Sequence, residues 1–159
     1  QEAWEPSAAT FATAMECYER GANDTEARKA AVLAQKDFDL DPEYMEKARR
    51  FSSLSGSRIE VVHDVREAAR DAEIFYAKSW ASYTISPEQL KERDEELRQW
   101  IVSDELLDLG DKRIKFMHCL PADRNLEVTD SVIDGARSIV YDQLENRLHA
   151  QKALLALTL

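Results

Sequence analysis

Short apolar runs alternate with helix-forming segments along most of the chain, and this alternation constrains the fold more than any other feature of the sequence. The runs "AAVLA", "RIEVVHD", "EIFYAKSW", "IKFMHCL" and "SIVYD" are each predicted to form a β-strand. Because strands that alternate with helices build parallel sheets, the sequence predicts an α/β fold, a three-layer sandwich with a mainly parallel sheet. Near-continuous apolar strands such as "SIVY" fit a sheet that is covered on both faces.

Capping residues mark where the helical segments begin and end. Asp41-Pro42-Glu43 places a capping acid before a proline at the first helical position, which predicts a helix that ends near Gly56. Leu144, Leu148 and Leu155 are predicted to share one side of the last helix. The other predicted helices cover 65–72, Ser86 to about Trp100, Ser103 to Gly110, a segment capped by Thr129, and the end of the chain from about Glu145.

Polar groups cluster where three of the predicted strands end. Lys78-Ser79-Trp80 follows one strand, His118-Cys119-Leu120 ends another, and Asp142 ends a third. Pro121 stops the second of these strands because proline has no N–H to give to the ladder. Ligands of parallel sheets bind beyond the carboxyl ends of the strands, so the three ends are predicted to converge on one crevice.

The side chains near these ends leave several alternatives open. His118 and Cys119 are neighbours on a strand and should point to opposite faces, so they are not expected to act together as base and nucleophile. Cys119 either faces a substrate or is a buried structural thiol. Arg147 is predicted to open the last helix, where backbone N–H groups favour anions. Its planar fork would bind a carboxylate or phosphate, or it would pair with Glu145 or Asp142.

Charge and cysteine spacing narrow the class of protein. The formal net charge is −10, which disfavours nucleic-acid binding because phosphate contacts need a basic face. No apolar stretch approaches the roughly 20 residues of a membrane helix, so no membrane association is expected. Cys17 and Cys119 are far apart and the three histidines are scattered, which suggests neither a disulfide framework nor a metal site. We therefore expect a reducing compartment, the cytoplasm or an organelle matrix.

The carboxyl-terminal third of the chain resembles a known family. "FMHCLPADRNLEVTDSVIDGARSIVYDQLENRLHAQKALLAL" is similar to the end of the ornithine-type carbamoyltransferases, with the H-C-L-P, E-V-T-D and E-N-R-L-H-A-Q-K-A motifs in order. "DAEIFYAKSW" and "DPEYMEKARRF" extend the resemblance back to about Lys36. "AWEPSAATFATA" faintly resembles the knotted branch that includes the N-acylornithine enzymes. Residues 36–159 are thus expected to form the amino-acid-binding domain, with residues 1–35 as its weakly assigned start.

The resemblance implies a fold, a reaction and a set of site residues. The fold would be the Rossmann-like second domain of a trimeric enzyme whose active sites are shared between subunits. The reaction moves the carbamoyl group of carbamoyl phosphate to an amine, releases phosphate, and uses no cofactor. By resemblance, Cys119 and the carbonyl of Leu120 line the shared site, and His118 and Pro121 belong to the same turn. Arg147 takes the place of the arginine that contacts carbamoyl phosphate. The resemblance thus implies that the catalytic residues are His118, Cys119 and Arg147.

The segment "KSWASYT" departs from the ornithine pattern. Lys78 stands where the ornithine enzymes place an aspartate that reads the α-ammonium group, whereas Ser82 keeps the family's serine. A cation does not pair with an ammonium group, so we expect an acceptor that is N-acylated or carries an extra carboxylate near Lys78. The residues expected to bind substrate are Lys78, Ser79, Trp80, Ser82, Leu120 and Pro121.

The carbamoyl-phosphate half of the family has no counterpart in this sequence. No segment resembles its S-T-R-T-type phosphate loop. Two readings follow from the resemblance. One is the acceptor-binding domain of a carbamoyltransferase that acts on an amino-acid-like acceptor. The other is a non-catalytic relative that serves as a structural or interaction subunit of a larger assembly.

Overall fold

The computed structural model describes residues 29–33, 41–79, 88 and 97–159, with only the backbone described for 29–33. The chain divides into two compact units, residues 1–68 and 69–159. Most of the helix predicted from Ser86 to Trp100 lies outside the described residues. Within the described ranges, no helix has the length and apolar character needed to cross a bilayer.

The first unit contains a parallel βαβ motif. Strand β1 (Lys29–Leu33) pairs in parallel with strand β2 (Arg58–Val62), with Lys29 opposite Arg58 and Leu33 opposite Val62. Helix α1 (Pro42–Ser55) connects them and packs against β2. A helical crossover between parallel strands is the connection that such a pair requires. The strand and helix predictions for this part of the chain are confirmed.

The ends of α1 follow from local chemistry. The Asp41 carboxylate accepts a hydrogen bond of 2.8 Å from the Glu43 N–H, an interaction typically worth about 1 kcal/mol at a helix start. Gly56 ends the helix with φ of 72°, a left-handed conformation that glycine adopts without a Cβ clash. The buried face of α1 consists of Met45, Ala48 and Ser52.

The next helix, α2 (Val65–Ala69), begins after Asp64, whose carboxylate accepts from the N–H groups of Arg66 and Glu67. It is shorter than the predicted helix over 65–72, because Arg70 and Asp71 form a turn and the φ of Asp71 is 59°. A positive φ is incompatible with a continuing right-handed helix.

The second unit contains another parallel strand pair. Strand β3 (Ile74–Ala77) pairs with strand β4 (Lys115–His118), with Ala77 opposite His118. The carboxyl ends of the two strands therefore lie side by side at one edge. Helix α3 (Asp104–Leu107) comes between the two strands in the sequence. It is capped by the Ser103 hydroxyl, which accepts from the Leu106 N–H at 3.4 Å.

An apolar core holds the carboxyl ends of these strands in place. Phe116 at the centre of β4 is fully buried, and α4 (Asp130–Ile133) contributes Val132 and Ile133 to the buried set. Burial of each such side chain stabilises the fold by about 1.5–3 kcal/mol relative to leaving it in water. The other fully or almost fully buried apolar residues of this unit are Ala69, Leu97, Val102, Leu106, Leu107, Ile114, Val128 and Val140.

The prediction that "SIVYD" forms a strand is wrong. Ser138 makes a single parallel bridge to Phe116, and helix α5 (Val140–Thr158) begins two residues later. The Ile139 N–H donates to the Phe116 carbonyl at 3.0 Å, after which the Gln143 N–H donates to the Ile139 carbonyl at 2.9 Å. A short apolar run is compatible with either structure, and here one bridge satisfies the backbone before the helix starts. The last helix therefore begins about five residues earlier than predicted.

The leucines of α5 share one side, as predicted, but that side faces solvent. Leu144, Leu148 and Leu155 are 45%, 58% and 56% exposed, and Val140 is the buried residue of the helix. The contact of α5 with β4 is made near its first turns, by polar side chains described below.

Candidate functional site at the carboxyl edge of β3 and β4

The chain turns sharply directly after β4. Cys119 and Leu120 are half-buried, Leu120 has φ of 53°, and the Leu120–Pro121 peptide is cis. A left-handed conformation costs a residue with a Cβ about 1–2 kcal/mol. The Leu120 N–H donates a hydrogen bond of 2.9 Å to Nδ1 of His118, and this bond offsets part of that cost.

His118 supports this turn from behind. Its side chain is buried, and Nε2 lies 3.1 Å from Oε2 of Glu127. Because Nδ1 accepts from a backbone N–H, the proton of the neutral ring must sit on Nε2, which donates to the carboxylate. Both ring nitrogens are therefore occupied within the protein. His118, which was expected to be catalytic, therefore has neither ring nitrogen available to a substrate.

Glu127 is a buried carboxylate with several donors. It also accepts from the Asp123 N–H at 3.3 Å and from the Ser79 side chain. Burial is the largest single influence on it and would raise its pKa. The hydrogen bonds from His118, Asp123 and Ser79 together outweigh burial, so the pKa of Glu127 lies below its ordinary value. The predicted substrate-binding residue Ser79 is thus engaged in holding Glu127.

Arg147 reaches the turn from α5. Its Nη1 donates to the backbone carbonyl of Cys119 at 3.1 Å. Arg147 lies in the eighth position of α5, so the prediction that it opens the helix is wrong; the early start at Val140 is the reason. Among the described residues it forms no ion pair with Glu145 or Asp142. One of its five N–H donors is used by Cys119, which leaves the others available to a ligand.

Gln143, one helical turn before Arg147, links both strand ends to α5. Its Oε1 accepts from the His118 backbone N–H at 3.1 Å, and its Nε2 donates to Oη of Tyr76 at 3.1 Å. Burial raises the pKa of Tyr76 above its ordinary value, and the Cys119 thiol and Arg147 guanidinium are close enough to influence it as well. Our sequence analysis missed Gln143 and Tyr76. The spacing of four residues between Gln143 and Arg147 was the available signal.

Lys78 follows β3 on the same face as Tyr76. Tyr76 and Lys78 are exposed, whereas Phe75 is buried, as expected for alternate residues of an extended segment. Lys78 makes no ion pair with any residue that the structure describes. The structure therefore brings Lys78, Cys119, Leu120 and Arg147 to one edge of the sheet. Trp80 and Ser82 lie outside the described residues.

The loop after Pro121 is tied to α4 by an exposed arginine. Arg124 donates to Asp130 at 2.7 Å and forms a two-point contact with Asp134 at 2.6 and 2.9 Å. The Arg124 hydrogen bonds lower the pKa of both carboxyls. Asn125 also exchanges hydrogen bonds with Asp130, so the loop that follows the turn is fixed at several points.

An open depression lies in the first unit beyond the end of β2, lined by Glu60–Asp64 and Glu67. It contains none of the residues that the sequence predicted for the site. No group of three or more histidines, cysteines and carboxylates within the described ranges is arranged to hold a metal ion.

Comparison with known proteins shows which family the chain resembles. A family model described as the Asp/Orn-binding domain of aspartate/ornithine carbamoyltransferase matches residues 21–158. The ornithine carbamoyltransferase of Methanothermobacter thermautotrophicus is 45% identical over 124 residues, which cover 78% of this chain and 41% of that protein.

Solved structures agree. Ornithine carbamoyltransferase from Pyrococcus furiosus superposes with a TM-score of 0.75 at 40% identity, over 81% of this chain and 41% of that one. An N-acetyl-L-ornithine transcarbamylase superposes with a TM-score of 0.73 at 35% identity, over 83% of this chain and 41% of that one. The chain thus spans about two-fifths of the length of these relatives. The α/β prediction and the resemblance are confirmed: the chain belongs to the aspartate/ornithine carbamoyltransferase family and matches its Asp/Orn-binding domain.

Proposed function

We propose that this chain binds an amino-acid-like acceptor and takes part in the transfer of a carbamoyl group from carbamoyl phosphate to the acceptor's amine. The observation that carries the proposal is the bond between Arg147 and the Cys119 carbonyl beside a half-buried thiol. This arrangement places a guanidinium next to the turn that is similar to the family's H-C-L-P motif. The ornithine and N-acetyl-L-ornithine specificities of the relatives support the general class of acceptor.

In the proposed reaction, the neutral amine of the acceptor forms a bond to the carbonyl carbon of carbamoyl phosphate. The C–O bond to phosphate breaks, and the phosphate leaves with one proton from the amine. The donors of Arg147 that Cys119 does not use stabilise the negative charge on the carbamoyl phosphate oxygens. The Leu120 carbonyl and the Cys119 side chain orient the amine. Orientation and charge stabilisation suffice for such a transfer.

His118 has a positioning role in this proposal. It fixes the Leu120 N–H through Nδ1 and holds Glu127 through Nε2. Its contribution is therefore the shape of the turn that carries Cys119 and Leu120. Pro121 ends the strand and Ser79 supports Glu127.

Lys78 supports an acceptor that is N-acylated or acidic. An ammonium group placed about 4 Å from Lys78 would be repelled by about 1 to 4 kcal/mol, depending on how well water screens the pair. An acyl oxygen or a carboxylate at the same place would instead accept a hydrogen bond. We propose that Trp80 and Ser82, from the same segment, complete this part of the site.

The remaining parts of the site are proposed to come from polypeptide beyond this sequence. The relatives are about two and a half times as long as the segment matched here. We propose that a carbamoyl-phosphate-binding domain is part of the remainder. We propose a homotrimer with shared sites, in the cytoplasm or an organelle matrix. A larger heteromeric assembly would be required for the alternative, non-catalytic role. The relatives are named as enzymes, which favours catalysis.

The test uses the native protein with carbamoyl phosphate. L-ornithine, N-acetyl-L-ornithine, N-succinyl-L-ornithine and L-aspartate would be supplied separately, and both phosphate release and the ureido product would be measured. We expect acceptor-dependent release with an acylated or acidic acceptor. Absence of turnover with every acceptor, together with stable co-purification of a second protein, would contradict the enzyme and support the structural subunit.

A further inference from the structure

The hydrogen bonds around Gln143 have a fixed polarity. The backbone N–H of His118 is a donor only, so the Gln143 atom that lies 3.1 Å from it must be the amide oxygen. The other end of the amide is then the NH₂ group, which donates to Tyr76. The opposite orientation of the amide would put its NH₂ group against the His118 N–H, two donors facing each other.

The polarity determines what the Tyr76 hydroxyl can still do. Its oxygen accepts from Gln143, so its own hydrogen is not used in that contact. No other residue that the structure describes accepts this hydrogen. Burial raises the pKa of Tyr76, and the phenol therefore keeps its proton at neutral pH.

Tyr76 is also well placed to meet a ligand. It is 40% exposed at the carboxyl edge of β3, and the Cys119 thiol and Arg147 guanidinium lie near enough to affect it. Lys78, two residues further on, is exposed on the same face. The edge thus presents two side-chain donors, a phenol O–H and an ammonium group, beside the turn.

We infer that Tyr76 is a specificity-determining residue whose free O–H donates to an oxygen of the acceptor's acyl group or extra carboxylate, alongside Lys78. Two donors side by side match an oxygen-rich substituent and do not match a free ammonium group. The inference deepens the proposed function and rests on it. The Gln143 amide serves as a positioning group, because its NH₂ donor turns the phenol hydrogen outward.

The test compares two variants of the native protein. Tyr76→Phe removes the O–H. Gln143→Glu keeps an acceptor for the His118 N–H but replaces the NH₂ donor with a second acceptor, which should capture the phenol hydrogen and turn it inward. Tyr141→Phe is the matched control, since Tyr141 is an exposed tyrosine of α5 that is bonded to Asp134. Binding of N-succinyl-L-norvaline and of L-norvaline would be measured by calorimetry in the presence of phosphate.

We expect Tyr76→Phe and Gln143→Glu each to weaken binding of N-succinyl-L-norvaline by about ten- to a hundredfold, the usual effect of one hydrogen bond to a charged group. The double variant should bind N-succinyl-L-norvaline no more weakly than the weaker-binding single variant, because both changes remove the same interaction. In Tyr76→Phe, which adds no charge near Arg147, binding of L-norvaline and the KM for carbamoyl phosphate should stay unchanged. A merely structural role would move all of these quantities together.

Several results would overturn the inference. Unchanged binding of N-succinyl-L-norvaline in both variants would overturn the inference. If carbamoyl transfer persists in those variants, the proposed function would still stand. An equal loss for L-norvaline would show that Tyr76 does not read the acyl group. A third outcome separates the two proposals. If the wild type binds N-succinyl-L-norvaline, Tyr76→Phe does not, and the wild type carbamoylates no acceptor, the inference stands and the proposed transfer fails. A wild type that neither binds nor turns over overturns both.

Discussion

Arg147 and Cys119 are joined by a hydrogen bond of 3.1 Å from the guanidinium Nη1 to the backbone carbonyl, across 28 residues of sequence. This bond connects the exposed helix α5 to the turn after β4. It orients the guanidinium toward the carboxyl edge of the sheet, while Gln143 holds the His118 backbone from the same helix. The two contacts together fix the turn relative to α5.

Replacing Arg147 by lysine should reduce kcat/KM for carbamoyl transfer by about a hundredfold or more, because an ammonium group lacks the planar fork that serves the Cys119 carbonyl and a ligand together. Steady-state kinetics on the native protein would measure the loss. Lys152→Ala, which removes an exposed cation from the same helix, should leave kcat/KM unchanged. Equal activity of the Arg147→Lys variant and the wild type would contradict the role given to Arg147.

Changing Lys78 to aspartate should reverse the preference among acceptors. We expect about tenfold or greater loss with N-acetyl-L-ornithine, since a carboxylate would repel or fail to donate to the acyl oxygen, and a relative gain with L-ornithine. The ratio of kcat/KM values for the two acceptors is the measurement. Lys112→Asp makes the same charge change in the turn before β4. Retention of full activity on the acylated acceptor would argue against Lys78 as a specificity residue.

His118→Phe should destabilise the second unit by about 2–3 kcal/mol, because it leaves the buried Glu127 carboxylate without its Nε2 donor and the Leu120 N–H without its acceptor. Urea denaturation of the native protein, followed by circular dichroism, would give the free energy of unfolding. His149→Phe, on the exposed part of α5, serves as the comparison and should change it little. A loss that is the same in both variants would show that the buried pair contributes nothing.

The pH dependence of stability follows from Glu127. Its folded-state pKa is lowered, so it stabilises the fold above the ordinary glutamate pKa of about 4.3 and loses this contribution as pH falls through the lower folded value. The free energy of unfolding should therefore fall more steeply on acidification below about pH 5 in the wild type than in Glu127→Gln. Urea midpoints measured through this range would test the difference. Parallel profiles would mean that Glu127 titrates alike in the folded and unfolded chains.

Alkylation of Cys119 should report occupancy of the site. The thiol is free and half-buried, so iodoacetamide should modify it slowly, and carbamoyl phosphate with N-succinyl-L-norvaline should slow the reaction several-fold further by covering it. Peptide mapping by mass spectrometry would follow Cys119 separately from Cys17. A rate that is unaffected by both ligands would place the thiol away from the binding site.

Local signals predicted the fold well where a few adjacent residues decide the outcome. Asp41, Pro42 and Gly56 set both ends of α1, and apolar runs located the four strands. The strand predicted from Ser138 to Asp142 is not formed. A short apolar run fits a strand, but it fits equally well a single β-bridge followed by the start of a helix, which is what the structure has. Because of that error, Arg147 was predicted at the start of a helix, whereas it lies in the middle of α5, away from the backbone N–H groups that favour anions.

The site was less predictable because its contacts are long-range. His118 and Glu127 meet through a loop whose path depends on the core, and Tyr76 and Gln143 are separated by 67 residues. The family resemblance located Cys119 and Leu120 by their motif, but no sequence pattern indicated that the His118 ring faces inward. Which residues of the turn are exposed depends on how the end of β4 lies against α5.

The left-handed backbone at Leu120 has a consequence for anyone who diversifies this turn. A saturation library at that codon should be depleted of valine, isoleucine and threonine, whose branching at Cβ makes such a φ least tolerable, and should retain glycine and asparagine. The usual ranking, in which a hydrophobic replacement is the mild one and glycine the harsh one, would be inverted at this codon.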